Sequence, residues 1–205
     1  MSDVKPDKKL KLMVSSTVYG FEDQLSQICS ILKGYDYEVW NSHIKTIPVH
    51  PGLSNADNCL AAVQDCDCFF GIITPRYGAV LDPVSGLSIT HQEIIKAIEL
   101  KKPCWFIAHR DIFVARQLFK QYMYLADGKT PNPDFTYKKT AIMEDIQLIH
   151  LYNAAIKEEV DPKNRIGHWV DEYFRIEDIL TVLDTQFSDI NRVKNIIEQM
   201  KGGVL

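Results

Sequence analysis

The sequence predicts an α/β fold: one domain in which a five-stranded parallel sheet is covered by helices, with a helical pair inserted before the last strand. Three observations predict it. Short apolar runs alternate with stretches of helical periodicity through residue 108. Residues 66–74 (CDCFFGIIT) are apolar almost without interruption, the pattern of a strand covered on both faces. The composition is that of a globular domain, with 205 residues, 46% hydrophobic and 24% charged. A chain of this length buries roughly 70% of its extended surface, enough for one sizeable core. The strand–helix rhythm then requires crossover connections and helices on the sheet faces.

Residues 10–17 (LKLMVSST) read as the first strand, running into a loop of small hydroxyl residues. Phe21, Leu25, Ile28, Cys29 and Leu32 recur at spacings of three and four and predict a helix, with Gly34 expected to close it. Residues 37–44 (YEVWNSHI) are β-branched and aromatic enough for a second strand. A loop with Pro48, Pro51 and Gly52 follows, and residues 54–64 predict a second helix. After the third strand, residues 75–86 form a turn-rich loop, and Ile89, Ile94, Ile95, Ala97 and Ile98 mark a helix over 88–101. Residues 102–108 (KPCWFIA) predict a fourth strand, with Pro103 at its start where a missing N–H is tolerated. Helices are expected over 111–126 and 138–159, an edge strand over 168–174, and closing helices over 176–183 and 189–200. The expected organisation is a flexible tail over 1–9 and a single domain over 10–205, with 111–160 as the helical insertion.

Composition also excludes partners. Lys and Arg total 23 against 27 Asp and Glu, a net charge of −4, which argues against non-specific nucleic-acid binding. No stretch approaches the roughly 20 apolar residues of a membrane span, and the N-terminus lacks the apolar core of a secretory signal. Cys29, Cys59, Cys66, Cys68 and Cys104 have neither a disulfide framework nor metal-ligand spacing. Reduced buried thiols, no metal and a cytoplasmic location are the expectations. Cys66 and Cys68, two apart, are expected on one face of the third strand.

Ligands of an open parallel sheet bind beyond the carboxyl ends of the strands, near the switch in strand order. That rule selects the loops over 15–20, 40–54 and 74–87, and the stretch after residue 108. Ser15, Ser16 and Thr17 bring three hydroxyls to a strand end, suited either to a phosphate or to capping the next helix. No Walker or G-x-G-x-x-G fingerprint is present. Glu93 is the carboxylate of greatest interest; Thr90-x-x-Glu93 also matches a capping box, which gives the residue a purely structural alternative. His91 reads as a polar surface residue.

Taken together, SSTVYGF after the first strand, DCDCFFGIITPRYG at the third and GLSITHQEIIKAIELKKPCWFI beyond it resemble the TIR-like domain family. More narrowly, they resemble a domain-of-unknown-function group within the TIR-related superfamily. The resemblance covers about residues 10–108, with a weaker echo at WVDEYFRIEDIL; residues 111–160 lie outside it. It implies a flavodoxin-like sheet of order 2-1-3-4-5 and a pocket related to those of NAD-cleaving TIR domains and nucleoside deoxyribosyltransferases. It implies that Glu93 is the catalytic carboxylate, stabilising an oxocarbenium-like ribose as an N-glycosidic bond breaks. Ser15, Ser16 and Thr17 would contact phosphate or ribose, Tyr19 or Tyr77 would stack on a base, and Arg76 would pair with a phosphate. Gly78, Ser88 and Thr90 complete the implied substrate-binding set. The chain departs from the family pattern in two places: Gly20, and Trp40 and Asn41 of the second strand, stand where relatives often carry acidic residues.

The function so implied is an NAD nucleosidase or ADP-ribosyl cyclase that makes a nucleotide signal, with NAD as substrate and no bound cofactor. Bacterial anti-phage signalling through self-association or a partner effector is the implied setting. The alternatives are a catalytically silent TIR-like assembly module and a nucleoside deoxyribosyltransferase-like enzyme.

Overall fold

The structure is a computed structural model, which describes residues 8–80, 86–167 and 169–203. Residues 1–7 of the expected tail, 81–85 of the third loop and His168 at the head of the expected fifth strand lie outside the described residues. In chain order the elements are β1 (Lys11–Ser16), α1 (Glu22–Gly34), β2 (Glu38–Trp40), α2 (Asn55–Asp65), β3 (Cys68–Ile73), α3 (Ile89–Glu99) and β4 (Cys104–His109). There follow α4 (Arg110–Met123), α5 (Gln147–Ala155), β5 (Val170–Tyr173), α6 (Ile176–Phe187) and α7 (Ile190–Lys201). The sheet order is β2-β1-β3-β4-β5 and every pairing is parallel, the flavodoxin-like arrangement. The helical pair α4–α5 is inserted between the last two strands, as the sequence predicts.

Alternation along the central strands builds two cores. Met13, Phe69, Ile73, Phe106 and Ala108 pack on the face carrying α2, α3, α4 and α5. Leu12, Val14, Phe70, Ile72 and Ile107 pack on the other, against α1, α6 and α7. That is why residues 66–74 show no polar alternation: both faces of β3 are dry. Phe187, at the end of α6, lies within 5.1–6.0 Å of the Trp105, Phe70 and Tyr37 rings and ties the last helices to the sheet. Among the described residues no helix is long and apolar enough to cross a membrane.

Several elements differ from expectation, each for a local reason. β2 stops at Trp40 because the Asn41 side-chain oxygen accepts from the His43 and Ile44 N–H groups and turns the chain. Gly34 is the last residue of α1 rather than its stop; the left-handed residue beyond it is Asp36, φ 72°. Cys66 caps the end of α2, so it does not share a β3 face with Cys68. The helix expected over 138–159 begins only at Gln147. Before it, Thr140 Oγ1 accepts from the Met143 N–H, the Tyr137 hydroxyl donates to the Met143 carbonyl, and the Glu144 N–H donates to Pro75. Backbone groups captured in this way are lost to a helix. α4 ends at Met123, where Asn132 satisfies the final turn through the Met123 and Tyr122 carbonyls.

Candidate active site

The carboxyl ends of β1, β2 and β3 open into a cleft of about 760 Å³ at the β1/β3 switch in strand order. Its walls come from the loop after β1, the loop after β2, the first turns of α2 and α3, and Gly78–Ala79 of the loop after β3. Of the residues selected from the sequence, Ser15, Ser16, Thr17, Tyr19, Gly78, Thr90 and Glu93 line it. Ser15 and Glu93, 78 residues apart, thus meet at one site, because β1 and β3 are hydrogen-bonded neighbours and the hydroxyl-rich loop and α3 follow them.

Glu93 lies at the floor and is 5% exposed. The Ser15 hydroxyl donates to its Oε2, and the Cys59 thiol is a second donor. Burial pushes the carboxyl up to about 7, against the opposing pull of those two donors. The same burial holds the Cys59 thiol protonated, raised to about 12. A carboxyl poised near neutrality can exist as carboxylate or acid under ordinary conditions, which suits proton transfer.

The capping alternatives are corrected by this geometry. The N-cap of α3 is Ser88, whose hydroxyl accepts from the His91 N–H at 3.2 Å. Position N3 is therefore His91, and Glu93 lies a half-turn further on, facing β1 instead of the helix end. Ser15, Ser16 and Thr17 do not cap α1 either, since that helix starts at Glu22 with Phe21 as its N-cap. The Thr17 side chain makes no hydrogen bond among the described residues and lines the cleft. Gly78 is packed over it: with φ +84°, an added Cβ would lie 3.0 Å from Thr17 Oγ1.

Three residues of the expected set do not line this cleft. Ser88 is fully buried as the cap just described. Tyr77 is 3% exposed; its hydroxyl pairs with His91 Nδ1 at 2.8 Å and accepts from the Ser88 N–H, so it cannot stack on a base. Arg76 lines a separate pocket on the far side of the loop after β3. His91, expected at the surface, is 4% exposed, and burial lowers it to about 4, so it stays neutral against Tyr77. Tyr19 is 75% exposed at the rim.

The loop after β2 contributes residues that carried no motif. Asn41 donates to the Val14 carbonyl at 2.8 Å while its oxygen holds the turn, so its amide is spent on the scaffold. Asn58 is used similarly, accepting from the His50 N–H at 2.7 Å and donating to the His50, Leu53 and Ser54 carbonyls. Among the described lining residues Lys45, exposed and with φ 57°, is the one cation and Glu93 the one acid. Lys45, Asn58 and Cys59 were not singled out from the sequence, because nothing in the spacing brings α2 onto α3. The five cysteines are free. Among the described residues no group of three His, Cys, Asp or Glu side chains could hold a metal ion.

The family described as "Domain of unknown function (DUF4062)" matches residues 11–186. A solved structure described as a 2-desoxiribosyltransferase from Leishmania mexicana aligns at 15% identity with a TM-score of 0.38, covering 72% of this chain and 97% of that one. No curated protein matches the chain. The family match spans the whole sheet and both of its covering layers, from β1 to α6, and on it the chain belongs to the DUF4062 family of domains of unknown function.

Proposed function

We propose that the chain is an enzyme that cleaves the N-glycosidic bond between nicotinamide and ribose in NAD, as a nucleosidase or an ADP-ribosyl cyclase making a nucleotide signal. The observation that carries this reading is Glu93: the single acid among the described residues that line a cleft large enough for a nucleotide, buried, fixed by Ser15 and poised near neutrality. One carboxylate is enough for this chemistry. Glycosidases that must protonate their leaving group use two carboxyls. Nicotinamide needs no such acid, because it is cationic in NAD and departs neutral with the electron pair of the broken bond. The positive charge passes to C1′ and the ring oxygen, where the Glu93 carboxylate stabilises it. Water then attacks C1′ and its proton passes to Glu93; in a cyclase, an adenine nitrogen takes the place of water. Thr17 and Thr90 line the cleft beside Glu93 and offer hydroxyls to the sugar, and Lys45 supplies positive charge at the mouth.

The test is nicotinamide release from NAD by wild type and Glu93→Gln at matched folded concentration. The variant is expected to lose at least ~100-fold in turnover, since the charge that meets the oxocarbenium is gone. A folded variant with near-normal turnover removes Glu93 from the mechanism. A wild type that releases no nicotinamide overturns the enzyme reading in favour of a silent assembly module. One observation favours that second reading: Ile166, Trp169 and Phe174 are 72%, 76% and 56% exposed around β5, the open edge of the sheet.

A further inference from the structure

A second pocket, of about 290 Å³, lies at the carboxyl ends of β3, β4 and β5. It shares Tyr19 with the Glu93 cleft, so the two cavities stand on either side of one rim residue. The loop after β3 serves both, giving Gly78 and Ala79 to the first and Thr74, Pro75 and Arg76 to the second.

The chemistry of this second pocket is that of an anion site. Arg76 and Arg175 both line it; Glu144 and Asp178 act on them from a distance, and neither forms a direct ion pair among the described residues. Three helices, α1, α4 and α6, begin at its wall, their leading N–H groups already held by Glu22, His109 and Asp178. His109 accepts the Asp111 N–H at Nδ1, which leaves Nε2 as the donor of the neutral ring. Burial lowers the affinity of this imidazole for a second proton, so the neutral form dominates. Among the described residues Asp111 is the one carboxylate of the lining, and it lies 3.5 Å from His109.

An independent observation comes from Tyr173. It lines the pocket at 4% exposure, and among the described residues its hydroxyl is the one buried side-chain polar atom with no hydrogen-bond partner. Burial keeps that hydroxyl protonated, as a donor. An orphaned buried donor costs stability in the empty protein, and a ligand oxygen relieves it. Two guanidinium groups and an unpaired hydroxyl together describe a site for phosphoryl oxygens.

We propose that this pocket is a phosphoryl-binding subsite and that it holds the diphosphate of the nucleotide whose ribose sits against Glu93. The second half of that statement rests on the reading of the Glu93 cleft given above; the first does not. The helical insertion then has a role, because the Glu144 carboxylate accepts the Tyr77 N–H at 3.0 Å and its own N–H donates to the Pro75 carbonyl. Those two bonds flank Arg76 and fix the loop that presents it.

The experiment is calorimetric titration with ADP, which reads binding without turnover. ADP is expected to bind wild type and Glu93→Gln equally, and to bind Arg76→Gln/Arg175→Gln at least ~10-fold more weakly. Tyr173→Phe keeps the ring packing and deletes only the hydroxyl; it is expected to weaken ADP several-fold while the melting temperature holds or rises. In the Glu93→Gln background, where NAD is not consumed, the arginine changes should weaken NAD by the same factor as ADP. No ADP binding at millimolar concentration, or binding that survives both the arginine and the Tyr173 changes, overturns the subsite. ADP binding that depends on the arginines while NAD affinity does not would assign the pocket to a separate phosphorylated effector and overturn the shared ligand. Arginine-dependent ADP binding without any nicotinamide release would leave the subsite standing and remove the proposed reaction.

Discussion

The two cavities on the carboxyl edge of the sheet are built on opposite principles. In the Glu93 cleft the buried amides and the carboxyl already have their partners, and the Thr17 and Thr90 hydroxyls face the cavity: Asn41 and Asn58 are saturated by backbone, and Glu93 itself receives Ser15 and Cys59. In the β3–β5 pocket two guanidinium groups have no ion-pair partner among the described residues, and a buried hydroxyl has no hydrogen-bond partner. The first is a rigid frame around one strained charge; the second is an unfilled set of donors. A saturated shell spends its polar groups on geometry, and an unsaturated one keeps them for a ligand.

That contrast is open to attack by substitution. The largest effect on stability is expected at Asn41. Asn41→Ala removes the Val14 contact and strips the turn of the acceptor for two N–H groups, so urea unfolding should show a loss of about 2–3 kcal/mol. A loss within 0.5 kcal/mol or so, the usual range of surface changes, would mean that the frame is not rigid there. A smaller effect, seen in the pH profile of turnover, is expected at Ser15. Catalysis that uses the Glu93 carboxylate should rise with pH to a plateau above about 7 in kcat/KM. Ser15→Ala deletes a donor that favours the charged form, so the rising limb should move to higher pH by about one unit, a ~5-fold loss at pH 7. A profile that stays in place would show that Ser15 does not tune the carboxyl.

The first half of the fold was legible because hydrophobic period carries it: β3 and α3 alternate so plainly between a dry run and a helical face that their sheet positions follow. Glu93 and the Ser15–Thr17 loop were legible for the same reason, since both follow neighbouring strands at the switch in strand order. What was not legible depends on partners distant in sequence. The capping-box pattern at Thr90 and Glu93 is genuine as a spacing, but Ser88 takes the cap and leaves Glu93 to meet Ser15, 78 residues away. Arg76, Tyr77 and Gly78 are consecutive yet face three environments: the second pocket, the buried His91 and the first cleft. The insertion was misjudged in detail because Tyr137, Thr140 and Pro75 compete for the backbone of residues 143–144, a contest that helical periodicity does not register.

The central claim is that Glu93 is kept for chemistry at a cost to the fold. Its folded carboxyl titrates near 7 and its unfolded one near 4.5, so the folded state holds the extra proton between those values. The stability tied to that proton is complete below pH 4.5, declines as pH rises through about 7 and stays low above it. Gln is close in shape to the protonated acid and still accepts from Ser15, so Glu93→Gln escapes the decline. The decisive measurement is the unfolding free energy of wild type and Glu93→Gln at pH 8 and at pH 4.5. The account predicts a variant more stable than wild type at pH 8, by on the order of 3 kcal/mol, with the difference closing at pH 4.5. A Glu93→Gln protein less stable than wild type at pH 8 would make the carboxylate a structural partner and contradict the account.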